Sequence, residues 1–355
     1  MKRLLTLVLL MAFVACQQEA PQINVSKGQL ASKTISDYPS TLSAWGFFEE
    51  PLSNLKAKKE LIPYDLISPL FSDYAQKTRF IKVPKDSVIN YQETEILDFP
   101  IGTVLIKNFH YSEAQLGEAR IIETRLLVHE SDAWKALSYV WNEEQNEAFR
   151  SLSGASIPLE LNGKKGQKIA FNYSVPNEVQ CKSCHEYQGK MSPIGPKARQ
   201  LNHKFAYGFK YENQLAHWEE LGLLQGLPAV DKVPNMVNYF ELREDLDLRA
   251  RAYLDINCAH CHRREGPAKN SGLYLTYQEQ DAYKIGWNKP PVAAGRGSGG
   301  MQYALVAGEP EKSILYHRMA SLDPGVMMPE LGRKLNHEQG LDLIYQWIKS
   351  KKQHE

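Results

Sequence analysis

Four of the five cysteines fall in two short runs, Cys181-Lys-Ser-Cys184-His185 and Cys258-Ala-His-Cys261-His262. Each is a C-x-x-C-H pattern, which reads as covalent attachment of a c-type haem. Two thiols separated by two residues reach the two vinyl groups of one porphyrin. The histidine that follows projects its imidazole onto the iron as proximal ligand. Zinc could use the same sulfur and nitrogen atoms, and a thioredoxin-like pair would want one copy in a βαβ setting. Two copies that leave no thiol over for a disulfide favour two covalently bound haem c groups.

A haem iron with mixed His/Met ligation needs a thioether on the face opposite the histidine. Met327-Met328-Pro329-Glu330-Leu331-Gly332 lies shortly before the last helical pattern, where class I cytochromes carry a Met-Pro ligand segment. Met328 directly precedes the proline and is the chosen ligand of the second iron; Met327 is the alternative, and both as gap-filling core methionines is the bland one. The first iron is less determined. Met236, 51 residues past His185, ranks ahead of His203 and Met191. The metal ligands expected from sequence are therefore His185, His262, Met328 and Met236.

The fifth cysteine belongs to a different chemistry. Lys2 and Arg3 form a basic start, Leu4 to Val14 a short apolar stretch, and Phe13-Val14-Ala15-Cys16 a lipobox. The apolar stretch is too short to span a bilayer, so residues 1–15 are expected to be a lipoprotein signal peptide and Cys16 the lipidation site. Export to the periplasm or outer membrane, soluble domains outside the cytoplasm and a membrane attachment through an N-terminal lipid follow as expectations. Residues 16–36 are polar and aperiodic, in the manner of a flexible tether.

The elements that position these residues change character along the chain. Apolar residues are 43% and charged residues 23%, an ordinary globular balance, and a formal charge of +1 speaks against a nucleic-acid partner. Residues 37–175 alternate in short runs. Ile122, Thr124, Leu126 and Val128 are expected on one face of a strand over Arg120 to His129; Leu137, Tyr139 and Trp141 repeat the pattern, as do Ile169, Phe171 and Tyr173. This is a β-rich domain of sandwich or barrel type. From residue 176 helical spacing takes over. Residues 176–236 are expected to form a first haem module, with Leu215, Trp218, Leu221 and Leu224 at helical spacing. Residues 237–355 are expected to form a class I cytochrome c-like domain. There, Leu246, Ala250, Tyr253 and Asn257 mark a helix ahead of Cys258, and Leu341, Ile344, Tyr345 and Ile348 a last helix started by Asn336 and Gln339. A Gly- and Pro-rich loop over 263–335 separates them. The expected fold class is α+β, an N-terminal β-rich domain followed by mainly α-helical c-type cytochrome modules.

The chain resembles a family of bacterial di-haem c-type cytochromes, largely conserved hypothetical proteins, over about residues 37–350. Strings such as Tyr64-Asp-Leu-Ile-Ser-Pro-Leu-Phe-Ser-Asp-Tyr-Ala75, Phe99-Pro-Ile-Gly-Thr-Val-Leu-Ile-Lys-Asn-Phe109 and Arg249-Ala-Arg-Ala-Tyr-Leu-Asp-Ile-Asn-Cys-Ala-His-Cys-His262 carry the resemblance. It implies electron transfer, with a C-terminal class I cytochrome c domain, and leaves the β-rich domain without a role. Electron transfer to unidentified redox protein partners, as part of a larger oxidoreductase system, is the leading expectation. A di-haem peroxidase-like enzyme with one open haem is the alternative, and a redox sensor that binds a partner is a third. Arg249, Arg251, Arg263 and Arg264 flank the second motif and could pair with haem propionates or simply face solvent.

Overall fold

Alternating apolar residues between Ile62 and Ser151 do form strands. In the computed structural model, which describes residues 37–131, 133–163, 166–292 and 294–352, these are β1 (Ile62–Tyr64), β2 (Gln76–Lys82), β3 (Ile89–Asn90), β4 (Val104–Tyr111), β5 (Arg120–His129), β6 (Trp134–Trp141) and β7 (Ala148–Ser151). All but β3 join in one antiparallel sheet ordered β1-β2-β4-β5-β6-β7. A one-turn helix, α1 (Glu113–Leu116), links β4 to β5, and a hairpin of β8 (Ala155–Asn162) and β9 (Lys168–Val175) follows. Residues 1–36, with Cys16 and the signal-peptide and tether expectations, lie outside the described residues.

Both faces of the sheet are covered. Ile106, Leu126, Val128, Leu137 and Tyr139 pack under an N-terminal cover that includes Tyr38, Leu42, Phe47 and Phe48. The opposite parity supplies Ile81, Leu105 and Ala136 to the core shared with the cysteine motifs, and Phe109 and Tyr111 to a cluster under the β8–β9 hairpin. One expected face is corrected here. The β4–β5 pairing passes from Phe109↔Glu123 to His110↔Ile121, which leaves Ile122 as the extra residue of a bulge. A bulge reverses side-chain parity beyond it, so Ile121 joins Leu126 and Val128 while Ile122 turns to the hairpin side.

After residue 176 the expectation of mainly α-helical modules is overturned: the fold is β-rich and dominated by the large antiparallel sheet. The helices are α2 (Glu178–His185), α3 (Ala198–Leu201), α4 (Gln214–Glu220), α5 (Leu246–Asn257), α6 (Ala282–Ile285), α7 (Ile314–Ala320) and α8 (Glu338–Ser350). Only α5 and α8 exceed ten residues. Between α2 and α4 run turns and two more hairpins, β10 (Glu186–Tyr187) with β11 (Lys190–Met191) and β12 (Lys204–Tyr207) with β13 (Lys210–Asn213). The periodicity at α5 and α8 was genuine but did not extend to the residues around it. Leu224 shows why: α4 stops at Glu220, Gly222 takes a positive φ of 69°, and Leu224 enters β14 (Leu224–Gln225), which pairs parallel with β3. A left-handed residue ends a helix, and the next apolar residue is then free to follow a strand. The start of α8 also differs. Its N-cap is His337 without a side-chain cap, because the Asn336 amide is spent on Ala320 O (2.9 Å) and on accepting from Arg333 Nη1 (2.8 Å).

The described residues belong to one compact unit. Sheet residues Ile81, Leu105 and Ala136 share a single core with Ala250 and Leu254 of α5 and Ile344 and Trp347 of α8. Buried Arg199 and Asp255 pair across 3.0 Å and tie α3 to α5. No helix among the described residues is long and apolar enough to cross a membrane.

Candidate functional site

The first motif is placed by a capped helix. Asn177 accepts from Gln180 N (2.9 Å) while Gln180 accepts from Asn177 N (3.0 Å), a reciprocal capping box that starts α2 three residues ahead of Cys181. Cys181, Cys184 and His185 then lie on its last turns, as the spacing predicts. The second motif does not sit inside a helix. Cys258 is the C-cap of α5, and Cys258 O accepts from Cys261 N (3.2 Å) and His262 N (2.9 Å), folding the motif into a tight turn. Both motifs open on one cavity of about 720 Å³, lined by Cys181, Cys184, His185, Cys258, Cys261, His262 and Met328 together.

The two histidines are prepared in the same way. His185 Nδ1 lies 2.9 Å from Ser192 O, a carbonyl brought back by the β10–β11 turn. A carbonyl only accepts, so Nδ1 carries the proton and Nε2 keeps its lone pair. His262 Nδ1 lies 3.3 Å from Ser271 Oγ, whose own proton goes to Ala268 O at 2.7 Å. That hydroxyl must therefore also accept, and the tautomer is the same. Burial pushes both imidazoles down to about 4, so each ring is neutral. A neutral imidazole with a bonded Nδ1–H and a free Nε2 is what a metal ligand requires.

The motifs also meet each other. Sulfurs of Cys184 and Cys261 and a ring nitrogen of His260 all lie within 4.8 Å. The Cys261 thiol donates to Cys184, which, with His260 alongside, lowers Cys184 and pushes Cys261 up. Cys181 and Cys258 are raised by burial, to about 11 and about 12. Among the described residues His260 Nδ1 is buried without a partner. The donor set could hold a covalently attached haem at each motif, with His185 and His262 as iron ligands, or a single soft metal ion at Cys184, His260 and Cys261.

Of the methionines, Met319 and Met328 line the cavity and Met327 does not; Met327 is 6% exposed in the protein core. Arg333, which sequence reasoning passed over, fixes this segment. Its guanidinium is buried and donates to Met328 O (3.1 Å), Met319 O (3.1 Å), Ser321 O (2.7 Å) and Asn336 Oδ1 (2.8 Å). The structure does not bring the first motif's candidates to the cavity. Met236 Sδ accepts from Gln200 Nε2 (3.1 Å) in the core. His203 Nε2 is engaged by Gln214 Nε2 (2.8 Å). Met191 is buried in the short hairpin. None of the three lines the cavity.

The flanking arginines are also directed elsewhere. Arg249 donates to Tyr239 O, Arg251 to Thr276 O and Glu279 O, Arg263 pairs with Glu95 and Glu265, and Arg264 with Glu279. Of the cations that line the cavity, Lys289, Arg318 and Arg333 follow α6 in the chain, and Arg79, Lys107 and Arg125 come from the sheet. Their sequence signal was a charge at an inward position of a strand, as in Leu105-Ile-Lys107-Asn-Phe109. No protein-family model, curated protein or solved structure matches the chain.

Proposed function

We propose that the chain is an exported di-haem c-type cytochrome, which transfers electrons as a subunit or partner of a larger oxidoreductase system. One observation carries this: two C-x-x-C-H motifs, 77 residues apart in sequence by their first cysteines, share one cavity and present neutral histidines with free Nε2. Bound haem would supply a one-electron iron couple. The chain's own contribution is to hold each group through two sulfurs, to orient each imidazole through Ser192 or Ser271, and to line the cavity with apolar side chains that exclude water. Adjacent attachment points suit exchange between two redox groups and onward transfer to a protein partner. The resemblance to di-haem c-type cytochromes supports the same function, and the lipobox at Cys16 supports a membrane tether outside the cytoplasm.

One measurement tests both parts. Intact mass of the protein, purified from a host that matures c-type cytochromes, should show two covalent haems on a chain that begins at a diacylglyceryl Cys16. A mass with one haem or none, or with zinc retained at Cys184, His260 and Cys261, sinks the di-haem function; a mass that keeps residues 1–15 sinks the lipoprotein assignment.

A peroxidase-like activity is the second reading, favoured by the placement of Met236, His203 and Met191 away from the cavity. A peroxidase needs one displaceable iron position. A high-spin ferric signal and turnover of hydrogen peroxide would favour it, and two low-spin irons would exclude it.

A further inference from the structure

The large sheet presents one row of side chains to the cavity at a single register: Tyr64↔Arg79↔Lys107↔Arg125↔Ser138, running across β1, β2, β4, β5 and β6. All five line the cavity. Neighbouring strands lie about 4.8 Å apart, so three cations fall within roughly 10 Å. Like charges directly opposite one another in a sheet are destabilising, and here they stand at a wall that is otherwise largely apolar. Two of them have carboxylate partners. Arg79 pairs with Asp65, and Arg125 Nε donates to Glu123 Oε2 (2.9 Å). The middle one does not: among the described residues the Lys107 ammonium forms no ion pair and lies over the Phe109 ring, 4.7 Å from its centroid. Arg79 is 5% exposed, and among the described residues its Nη2 is buried without a partner. Burial, together with Arg79, Lys77 and Arg125, pushes the Lys107 pKa well below the ordinary lysine range. Among the described residues the wall thus holds one amine with no carboxylate partner and one buried guanidinium nitrogen with no acceptor.

The row stands beside the first motif. Ser138 Oγ donates to Pro176 O (3.1 Å) just ahead of α2, which packs on β6. We propose that Arg79, Lys107 and Arg125 form a carboxylate-binding wall that receives the propionates of the haem held at Cys181 and Cys184. This rests on the haem reading above, and it gives the β-rich part of the chain a role in cofactor binding. A carboxylate there would balance Lys107 and take charge-assisted hydrogen bonds from both guanidinium groups. The same chemistry would accept a small free carboxylate, and the test separates the two sources.

Holoprotein and its Lys107→Gln and Lys107→Arg variants would be compared by intact mass, by the propionate bending band in resonance Raman spectra, and by calorimetric titration with acetate. The expected result is two haems in all three proteins, a shifted propionate band in Lys107→Gln that Lys107→Arg restores, and no acetate binding. The ferric-to-ferrous ratio of the first haem at fixed ambient potential should also rise about tenfold in Lys107→Gln, or about 59 mV. Saturable acetate binding in the natural protein, lost in Lys107→Gln and with no change in the propionate band, would keep the wall but assign it to a free carboxylate and overturn the propionate role. An unchanged band and no acetate binding, with both haems present, would overturn the wall itself. A sample without haem would overturn the haem reading and the propionate role together, and its acetate titration would still decide whether the row takes carboxylates.

Discussion

Two adjacent methionines have different surroundings, and this makes their roles separable. Met328 lines the cavity with its carbonyl held by Arg333, whereas Met327 is buried away from it. A ferric iron with a thioether ligand shows a weak charge-transfer band at the red end of the visible spectrum. On the proposed di-haem function with Met328 as sixth ligand, Met328→Ala should abolish that band for the second haem and lower its potential, since the soft ligand that favours ferrous iron would be lost. Met327→Ala should keep the band but cost about 2–5 kcal/mol of stability, the usual range for emptying a core methionine site. Absorption spectra and denaturant titrations of the two variants check both halves. The reverse pattern would show that Met327 is the ligand. Pro329 marked Met328 in the sequence as the candidate thioether, and Met328 does line the cavity. Arg333 was not legible, because its acceptors, backbone carbonyls and the Asn336 amide oxygen spread between residues 318 and 336, converge only in the fold. Met236 lies away from the cavity for a similar reason: sequence distance would let it reach the first motif, but in the fold Gln200 donates to its sulfur in the core.

At the scale of elements, the crossing of α5 and α8 brings the two longest helices together behind the second motif. Gly340 permits their approach. A Cβ at that position would lie 2.4 Å from Tyr253 Oη and 2.5 Å from its Cζ, and Tyr253 is a buried aromatic of α5 that also lines the cavity. Alanine would gain up to about 1 kcal/mol of helix propensity, but overpacking against a rigid ring costs about 1–3 kcal/mol. Gly340→Ala should therefore lower the thermal midpoint by several degrees in a melting curve; an increase would mean that the two helices have room to spare. Both helices were readable from their 3.6-residue spacing, and β5 was readable from its alternation. The short hairpins were not, since two to four residues carry no period. The bulge at Ile122 was not readable either, because it is set by the pairing with β4 and not by the sequence of β5 alone.

For the whole molecule, the division into a β-rich part and two cytochrome modules at residues 176 and 237 runs through one core. Ala250, Leu254, Ile344 and Trp347 belong to the same cluster as Ile81, Leu105 and Ala136 of the sheet. Hydrogen bonds cross the same line. Asn257 Oδ1 accepts from Phe71 N (2.8 Å), Asp73 Oδ1 accepts from Lys334 N (2.7 Å) and Leu335 N (2.8 Å), and Tyr74 donates to Asn336 O (2.8 Å). These bonds hold the turn after α5 and the Met328 segment from outside the last module. Separated from residues 37–236, residues 237–355 would expose an apolar face of α5 and leave those backbone donors without acceptors, each a cost of about 1–3 kcal/mol where it stays buried. A small domain has a net stability of only about 5–15 kcal/mol, so losses of this size are enough to unfold it. The fragment 237–355 should therefore show no cooperative thermal transition by circular dichroism and little near-ultraviolet signal. The full chain should melt with its sheet and its helices in one step, followed at wavelengths that report each. A cooperative melt of the isolated fragment would show that the C-terminal part is an autonomous domain after all, and that its contacts with the sheet are a docking surface between two separately stable units.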